Sequence, residues 1–392
     1  MSVSYNKIIE NFKSCIKIKY DYEIKIDNFT IDDGVFGKYN QKDYAQIEKE
    51  ENSIDWIQHL EVYYSENIFL NEKIMFARYD KDDSEKNGGY IILSNSMLSS
   101  FNNSWINDLA TQVEDDLGIF LSLFSKVESF PLVNKELSLE YVQNILDIPY
   151  DEYQSNHDYD EIKRLFSNIY ILKINYEYLE LDDENKFKVK NIDEYKYRLL
   201  GLIKCNDKIN NINKEDYFTE ECIKEYLKAF DEEIMNLPYE NLYLSLCHNS
   251  PKFIFLEIYR MIEKLYKIIF CYNLRLELEI TNLKLIDIHD KIEDKFKIKP
   301  KEIESLAQIF QYCNKKKSTV EYINNLNIYK QEVDPSNKNT NLDAWIYSIR
   351  NNLVHLSFND NKYVDIKSIL NKDIVVKNLI PMIVELYVNL FD

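Results

Sequence analysis

The spacing of apolar positions changes part-way along this chain. Between residues 73 and 95 two apolar runs, KIMFARYD and GGYIILSN, are separated by the polar KDDSEKNGG. The Asn87-Gly88 turn signal inside that spacer predicts a pair of strands. Further on, ILKINYEYL alternates: Leu172, Ile174, Tyr176 and Tyr178 fall on one face, Lys173, Asn175 and Glu177 on the other. DDEN then turns into KFKVK, where Phe187 and Val189 alternate with lysines, and a hairpin is expected. Helical spacing falls near 97–128, 137–147 and 219–236. No repeat of fixed period is present. This part reads as α+β.

Near residue 238 the pattern becomes helical almost throughout. Ser250-Pro251 is an N-cap and first-turn pair. After it, Ile254, Ile258, Met261, Ile262, Leu265, Ile268, Ile269 and Tyr272 recur at three- and four-residue spacing. A second helix is expected over about 280–297. Pro300 opens a third, with Ile303, Leu306, Phe310 and Cys313 inward. The polar DPSNKNTN leads into a helix from Leu342, and DIVVKNLIPMIVELYVNLF forms a last one with Pro381 as a kink or restart. Four or five helices in so short a segment predict an antiparallel bundle. The expected organisation is an α+β domain over 1–238 and an all-α bundle over 239–392.

The helix from Leu342 separates its residues cleanly. Leu342, Trp345, Ile346, Ile349, Leu353 and Leu356 form a core stripe. Ser348, Asn351, Asn352 and His355 form the opposite polar stripe, so His355 is expected to face outward. Arg350 lies about 140° around the helix from His355. The two heads converge only if the arginine wraps, if the helix ends near His355, or if a second copy packs here. A twofold interface brings two of each into one cleft.

Charge strengthens the division. The chain's formal net charge is -19, against a protein that coats nucleic acid broadly. Residues 251–392 hold 21 Lys+Arg against 19 Asp+Glu, a net of +2; subtracting from the totals of 48 and 67 leaves -21 for residues 1–250. The C-terminal part is neutral enough to meet RNA and the N-terminal part repels it. Six scattered cysteines without a CxxC pair read as reduced thiols. The N-terminus has no secretory pattern, and no apolar run approaches the ~18 residues of a membrane span. A cytoplasmic protein without membrane association is expected.

An arginine and a histidine suit RNA cleavage without a metal or cofactor. A neutral imidazole takes the proton of a ribose 2′-hydroxyl, which attacks the adjacent phosphate; a guanidinium holds that phosphate and the charge developing on it. The polar residue after the arginine orients either group. The segment RNNLVH, with Arg350, Asn351 and His355 on a helix before the final one, resembles the HEPN domain. Ribonuclease members of that family carry Arg, a polar residue, three to five further residues, then His. YRMIEKLY and the KPKEIESL helix start are also similar to HEPN proteins of bacterial antiphage systems. The resemblance covers about 240–392. It implies a HEPN-like bundle, a homodimer with a composite site, and a toxic endoribonuclease released by a phage-derived or cellular trigger, which the N-terminal part would sense or whose effector it would restrain. The competing expectation is an inactive HEPN scaffold that dimerises or binds a nucleotide or partner.

Other residues are weighed beside these. Asn352 is a possible supporting residue. Glu263 either pairs with Arg260 on its own solvated helix face, the preferred reading, or crosses over to orient Arg350 or His355. Cys247-His248 has no second pair for a metal. His59, His157 and His289 lack partners at ligand spacing and read as surface residues. The basic NKKKS over 314–318 and the acidic DYDE and LDDEN clusters read as solvated turns. Walker, GxSxG and HExxH motifs are absent.

Overall fold

The computed structural model describes residues 28–31, 34–39, 42–46, 56, 59–69, 72–81, 85–94, 106–113, 119, 122, 156–157, 169–210, 217–280, 283–296, 301–354 and 366–391. The chain divides into two compact units, residues 1–191 and 192–392. The first is a mixed β-sheet region and the second an all-α bundle.

In the first unit, β1 (Asn28–Ile31), β2 (Gly34–Tyr39), β3 (Lys42–Gln46) and β8 (Asn156–His157) form a sheet in the order β3-β2-β1-β8. Its β1–β8 pair is parallel and the others antiparallel. A five-stranded antiparallel sheet runs β4-β5-β6-β9-β7, with β4 (Leu60–Phe69), β5 (Glu72–Tyr79), β6 (Gly88–Ser94), β7 (Ala110–Gln112) and β9 (Ile169–Ile174). The expected strand pair is β5–β6. Ile74 to Ala77 and Ile91 to Leu93 are all buried, so both faces of these central strands are covered. Such strands are continuously apolar rather than alternating. Leu179 packs against the bare backbone of Gly89, its Cδ2 2.7 Å from where a Cβ would stand, so a side chain there would have to displace the leucine.

Three expectations here are corrected. The alternation over 171–179 is not one strand. It ends at Ile174, a single 3-10 turn follows over Tyr176–Tyr178, and Tyr176 is 61% exposed. Chain direction then reverses into the hairpin of β10 (Leu179–Leu181) and β11 (Phe187–Val189), where the expected turn carries Asn185 at a φ of 58°. The helical reading of 97–128 fails at Ala110–Gln112, which pairs antiparallel with β9. His59 is only partly exposed, its ring 5.8 Å from that of Tyr79. The pattern at 137–147 and the DYDE cluster lie outside the described residues.

The helical unit begins before residue 239. It opens with α1 (Ile192–Asn210) and α2 (Glu220–Asp231), which pack on each other and on α3 (Tyr239–Cys247). Arg198 explains why α1 does not read as a core helix. It is buried, and its Nε and Nη2 donate to the carbonyls of Phe230 and Asp231 at the C-terminal end of α2, at 3.2 and 2.9 Å. A cation there satisfies carbonyls that the helix leaves open.

Then follow α4 (Pro251–Lys264), α5 (Tyr266–Glu277), α6 (Leu285–Phe296), α7 (Glu302–Lys315), α8 (Val320–Val333), α9 (Leu342–Val354), the single turn α10 (Ile366–Ile369) and α11 (Ile374–Phe391). Helices α4 and α5 split the single periodic run at Leu265. Tyr272 is half-buried rather than inward. In α7, Leu306, Phe310 and Cys313 are buried as expected, but Ile303 is 46% exposed because the buried stripe begins only at Ser305. Of the lysines of NKKKS, Lys315 ends α7 and Lys316 and Lys317 lie in the turn before α8, with Lys316 Nζ 5.1 Å from the centroid of the Tyr312 ring.

Helix α4 sits at the centre, touching α3, α5, α7, α9 and α11. Its Ile254, Ile258, Met261 and Ile262 are fully buried. Tyr387 on α11 donates to the Met261 carbonyl at 3.0 Å. Pro381 lies inside α11 without ending it. By length and composition α11 is apolar enough to cross a membrane, with a mean hydropathy of 1.6 over 18 residues. That corrects the expectation that no apolar run reaches this length. As a core helix, 61% of that window is buried within the protein.

Candidate active site

Helix α9 is fixed at its start. The Trp345 indole donates to Asp334 Oδ2 at 3.1 Å, and the buried Lys330 ammonium donates to the Thr340 carbonyl ahead of the helix. Leu342, Trp345, Ile346 and Ile349 are buried, as their spacing requires, whereas Leu353 is only half-buried. Leu356 lies outside the described residues. With the core stripe clamped, the rotation of α9 is set and the direction of Arg350 with it.

Arg350 turns toward α4 and α7 while keeping contact with Asn351 of the polar stripe. Its Nη2 donates to Glu263 Oε1 at 3.1 Å, and its Nη1 donates to Asn351 Oδ1 at 3.0 Å. Glu302 Oε2, in the first turn of α7, is 3.7 Å from Nη1, an ion pair rather than a hydrogen bond. The guanidinium carbon lies 5.8 Å from the centroid of the Tyr259 ring, within cation–π range. Tyr259 and Glu263 stand one turn apart on α4, so both meet the same arginine. The Tyr259 hydroxyl shares a hydrogen bond of 2.8 Å with that of Tyr266.

The arginine side chain is 17% exposed, Glu263 30% and Glu302 44%. Burial disfavours the charge on Arg350, but the carboxylates of Glu302 and Glu263 outweigh it and raise the guanidinium above its ordinary pKa. Burial pushes the Tyr259 phenol up to about 12. It stays protonated, sharing its hydroxyl with Tyr266 on one side and presenting a neutral ring face toward the cation on the other.

Helices α9 and α4 therefore bring together Arg350, Asn351 and Glu263 of the expected residues, and α7 adds Glu302. The cross-over position of Glu263 replaces the preferred i, i+3 pairing: Arg260 instead bonds Glu257, one turn earlier on α4. Asn352 is half-buried. Ser348, on the same polar stripe, turns back to the Trp345 carbonyl at 2.7 Å. His355 follows Val354, the last residue of α9, and lies outside the described residues.

Two members of the cluster were missed. Tyr259 carried a signal in its i, i+4 relation to Glu263. Glu302 carried none, because only the packing of α7 against α9 brings it near.

The remaining candidates separate from this cluster. His248 caps α3 and lies 5.5 Å from the Phe253 ring. His289 Nδ1 is 3.0 Å from Asp290 Oδ1. Asp182 of LDDEN is no idle surface carboxylate, since it accepts from Arg78 and from the Glu184 and Lys186 amides, each at 2.9 Å. Among the described residues no group of three or more His, Cys, Asp or Glu side chains is arranged to hold a metal ion. No family model, curated protein or solved structure matches this chain.

Proposed function

We propose that the chain is a metal-independent endoribonuclease of the HEPN type, cytoplasmic, acting as a homodimer in a bacterial defence or toxin system. The observation that carries this reading is the guanidinium of Arg350. It is mostly buried, oriented by Asn351 and Glu263 and backed by Tyr259, five positions before a histidine.

In this mechanism neutral His355 accepts the proton of a ribose 2′-hydroxyl. The 2′-oxygen bonds to the adjacent phosphorus, and the bond from phosphorus to the 5′-oxygen breaks. The Arg350 guanidinium holds the non-bridging oxygens as charge builds on them. A protonated imidazole, from the same copy or the second across the twofold, returns a proton to the leaving 5′-oxygen. The products are a 2′,3′-cyclic phosphate and a 5′-hydroxyl. The acidic N-terminal unit senses the trigger; reversing its acidic patches is expected to alter basal cleavage or partner binding, and no change in either removes that role.

The second reading, an inactive scaffold, draws on the same cluster: two carboxylates already neutralise Arg350, as a purely structural ion network would. Arg350→Ala and His355→Ala separate the two readings. Under the first, either abolishes RNA cleavage and toxicity while the dimer persists. Under the second, the variants and the parent behave alike.

A further inference from the structure

We propose that Glu302 is an internal competitor for the anion Arg350 binds, holding the site shut to phosphate until this carboxylate swings away. The inference rests on the reading of Arg350 as a phosphate-binding group.

The charges at the cluster do not suit RNA as they stand. One guanidinium faces two carboxylates, Glu263 and Glu302. The formal sum over the three is therefore negative, and a phosphodiester approaching it is repelled. The lysines next to the two acids in sequence do not offset this: Lys264, next to Glu263, gives its ammonium to Asn241 Oδ1 at 2.8 Å. Lys301, next to Glu302, gives its ammonium to Glu304 at 2.8 Å.

The two carboxylates are not equivalent. Glu263 makes a true hydrogen bond to Nη2, and its helix also presents the Tyr259 ring, itself pinned by Tyr266. Losing Glu263 undoes the frame that aims the arginine. Glu302 is the more exposed of the two, and at 3.7 Å it lies beyond hydrogen-bond range of Nη1, whose hydrogen bond goes to Asn351. It contributes charge without geometry. An incoming phosphate oxygen can take its place while the contacts to Glu263, Asn351 and Tyr259 persist. Glu263 is thus a positioning residue and Glu302 a latch.

A plainer role for Glu302 is available: a carboxylate in the first turn of a helix favours the helix dipole. That role affects stability and leaves RNA affinity alone, so affinity is the readout that separates them. The test measures binding of a fully 2′-O-methylated RNA oligonucleotide, which the mechanism cannot cleave, to the full-length chain by fluorescence anisotropy. Glu302→Gln should tighten binding about two- to fivefold, the range of a partly exposed ion pair, and speed cleavage of unmodified RNA. Glu302→Asp, which keeps the charge but withdraws it, should give a smaller gain. Glu304→Gln, an exposed carboxylate in the same turn, should change binding less than Glu302→Gln. In an Arg350→Ala background the gain from Glu302→Gln should vanish. A folded Glu302→Gln protein that binds no tighter than the parent overturns the latch, as does a gain that survives unchanged without Arg350. If Arg350→Ala abolishes cleavage and Glu302→Gln is silent, the latch alone fails. If Arg350→Ala leaves cleavage intact, the functional reading beneath it fails.

Discussion

Two arginines of this chain are held in nearly the same way, one in each unit. Arg78 on β5 donates to Glu61 at 3.1 Å and to Asp182 at 2.9 Å, with Asp80 at 3.7 Å and the Tyr63 ring 5.5 Å away. Arg350 has Glu263, Glu302 and the Tyr259 ring at closely similar distances. In both, carboxylates overcome the cost of burial and raise the guanidinium pKa. An arginine among carboxylates is therefore no sign of chemistry in itself.

What differs is the rest of the shell. Arg78 is more buried, 9% exposed, and both its hydrogen-bonded partners are acids that tie the β10–β11 turn and β4 to the middle of the sheet. Arg350 has one hydrogen-bonded acid, one neutral amide and one acid held only by charge. Around Arg78 every charged partner is an acid, two of them hydrogen-bonded, whereas around Arg350 the second hydrogen bond goes to a neutral amide and the acid held only by charge is the one an anion would replace.

The sharpest way to break the comparison is to remove the proposed chemistry. Arg350→Ala and His355→Ala are each expected to lower RNA cleavage by at least about a hundredfold, read as loss of labelled RNA with the full-length chain, with the far-ultraviolet circular dichroism unchanged. Next in size is stability. Arg78→Ala takes the guanidinium from Glu61 and Asp182, leaving Glu61 only Lys186 at 3.6 Å, and should cost about 2–3 kcal/mol. Arg350→Ala removes a more exposed arginine with one hydrogen-bonded acid rather than two, and should cost about 1 kcal/mol. Hydrogen exchange of peptides from each unit measures both. Equal costs would make Arg350 a structural clamp like Arg78.

Asn351→Ala should slow cleavage about tenfold, the loss of one orienting hydrogen bond, with RNA affinity reduced less than turnover. Affinity and turnover falling together would assign it to binding instead.

The smallest effect is a pH dependence of the sheet unit. Amide hydrogen bonds, from Lys186 first, together with Arg78 hold Asp182 below its ordinary pKa. Burial raises that of Glu61, but Arg78 outweighs it and the net is a lowering. For a depressed carboxylate, the stabilisation is present above the unfolded pKa, about 4, and is lost as pH falls through the folded value. Asp80, raised by burial, acts in the opposite sense. The sheet unit should thus lose protection as pH drops below about 4, and Asp182→Asn should flatten that limb. An unaltered limb would remove Asp182 from the account.

Much of the bundle was legible because long amphipathic helices repeat their pattern many times. The inward face of α4 and the first half of α9 follow from spacing alone. The strands β5 and β6 stood out as apolar runs around a turn signal. Three-residue strands such as β7 are too short to show a period. Helix α1 hid its core face because Lys196 and Arg198 are buried in it. At the site, Arg350, Asn351 and Glu263 were visible as residues, but their meeting was not. Arg350 and Glu263 are 87 positions apart, and only the packing of α9 on α4 joins them. Glu302 and Tyr259 belong to that same tertiary information.

The most direct measurement is of the ends that the chain leaves on RNA. Full-length protein is incubated with RNA in excess EDTA, and the termini are read by enzymatic end-labelling. The account predicts fragments with 2′,3′-cyclic phosphates and 5′-hydroxyls, and none at a site where a single 2′-deoxy sugar replaces the ribose. Intact RNA, or fragments bearing 5′-phosphates, would contradict it.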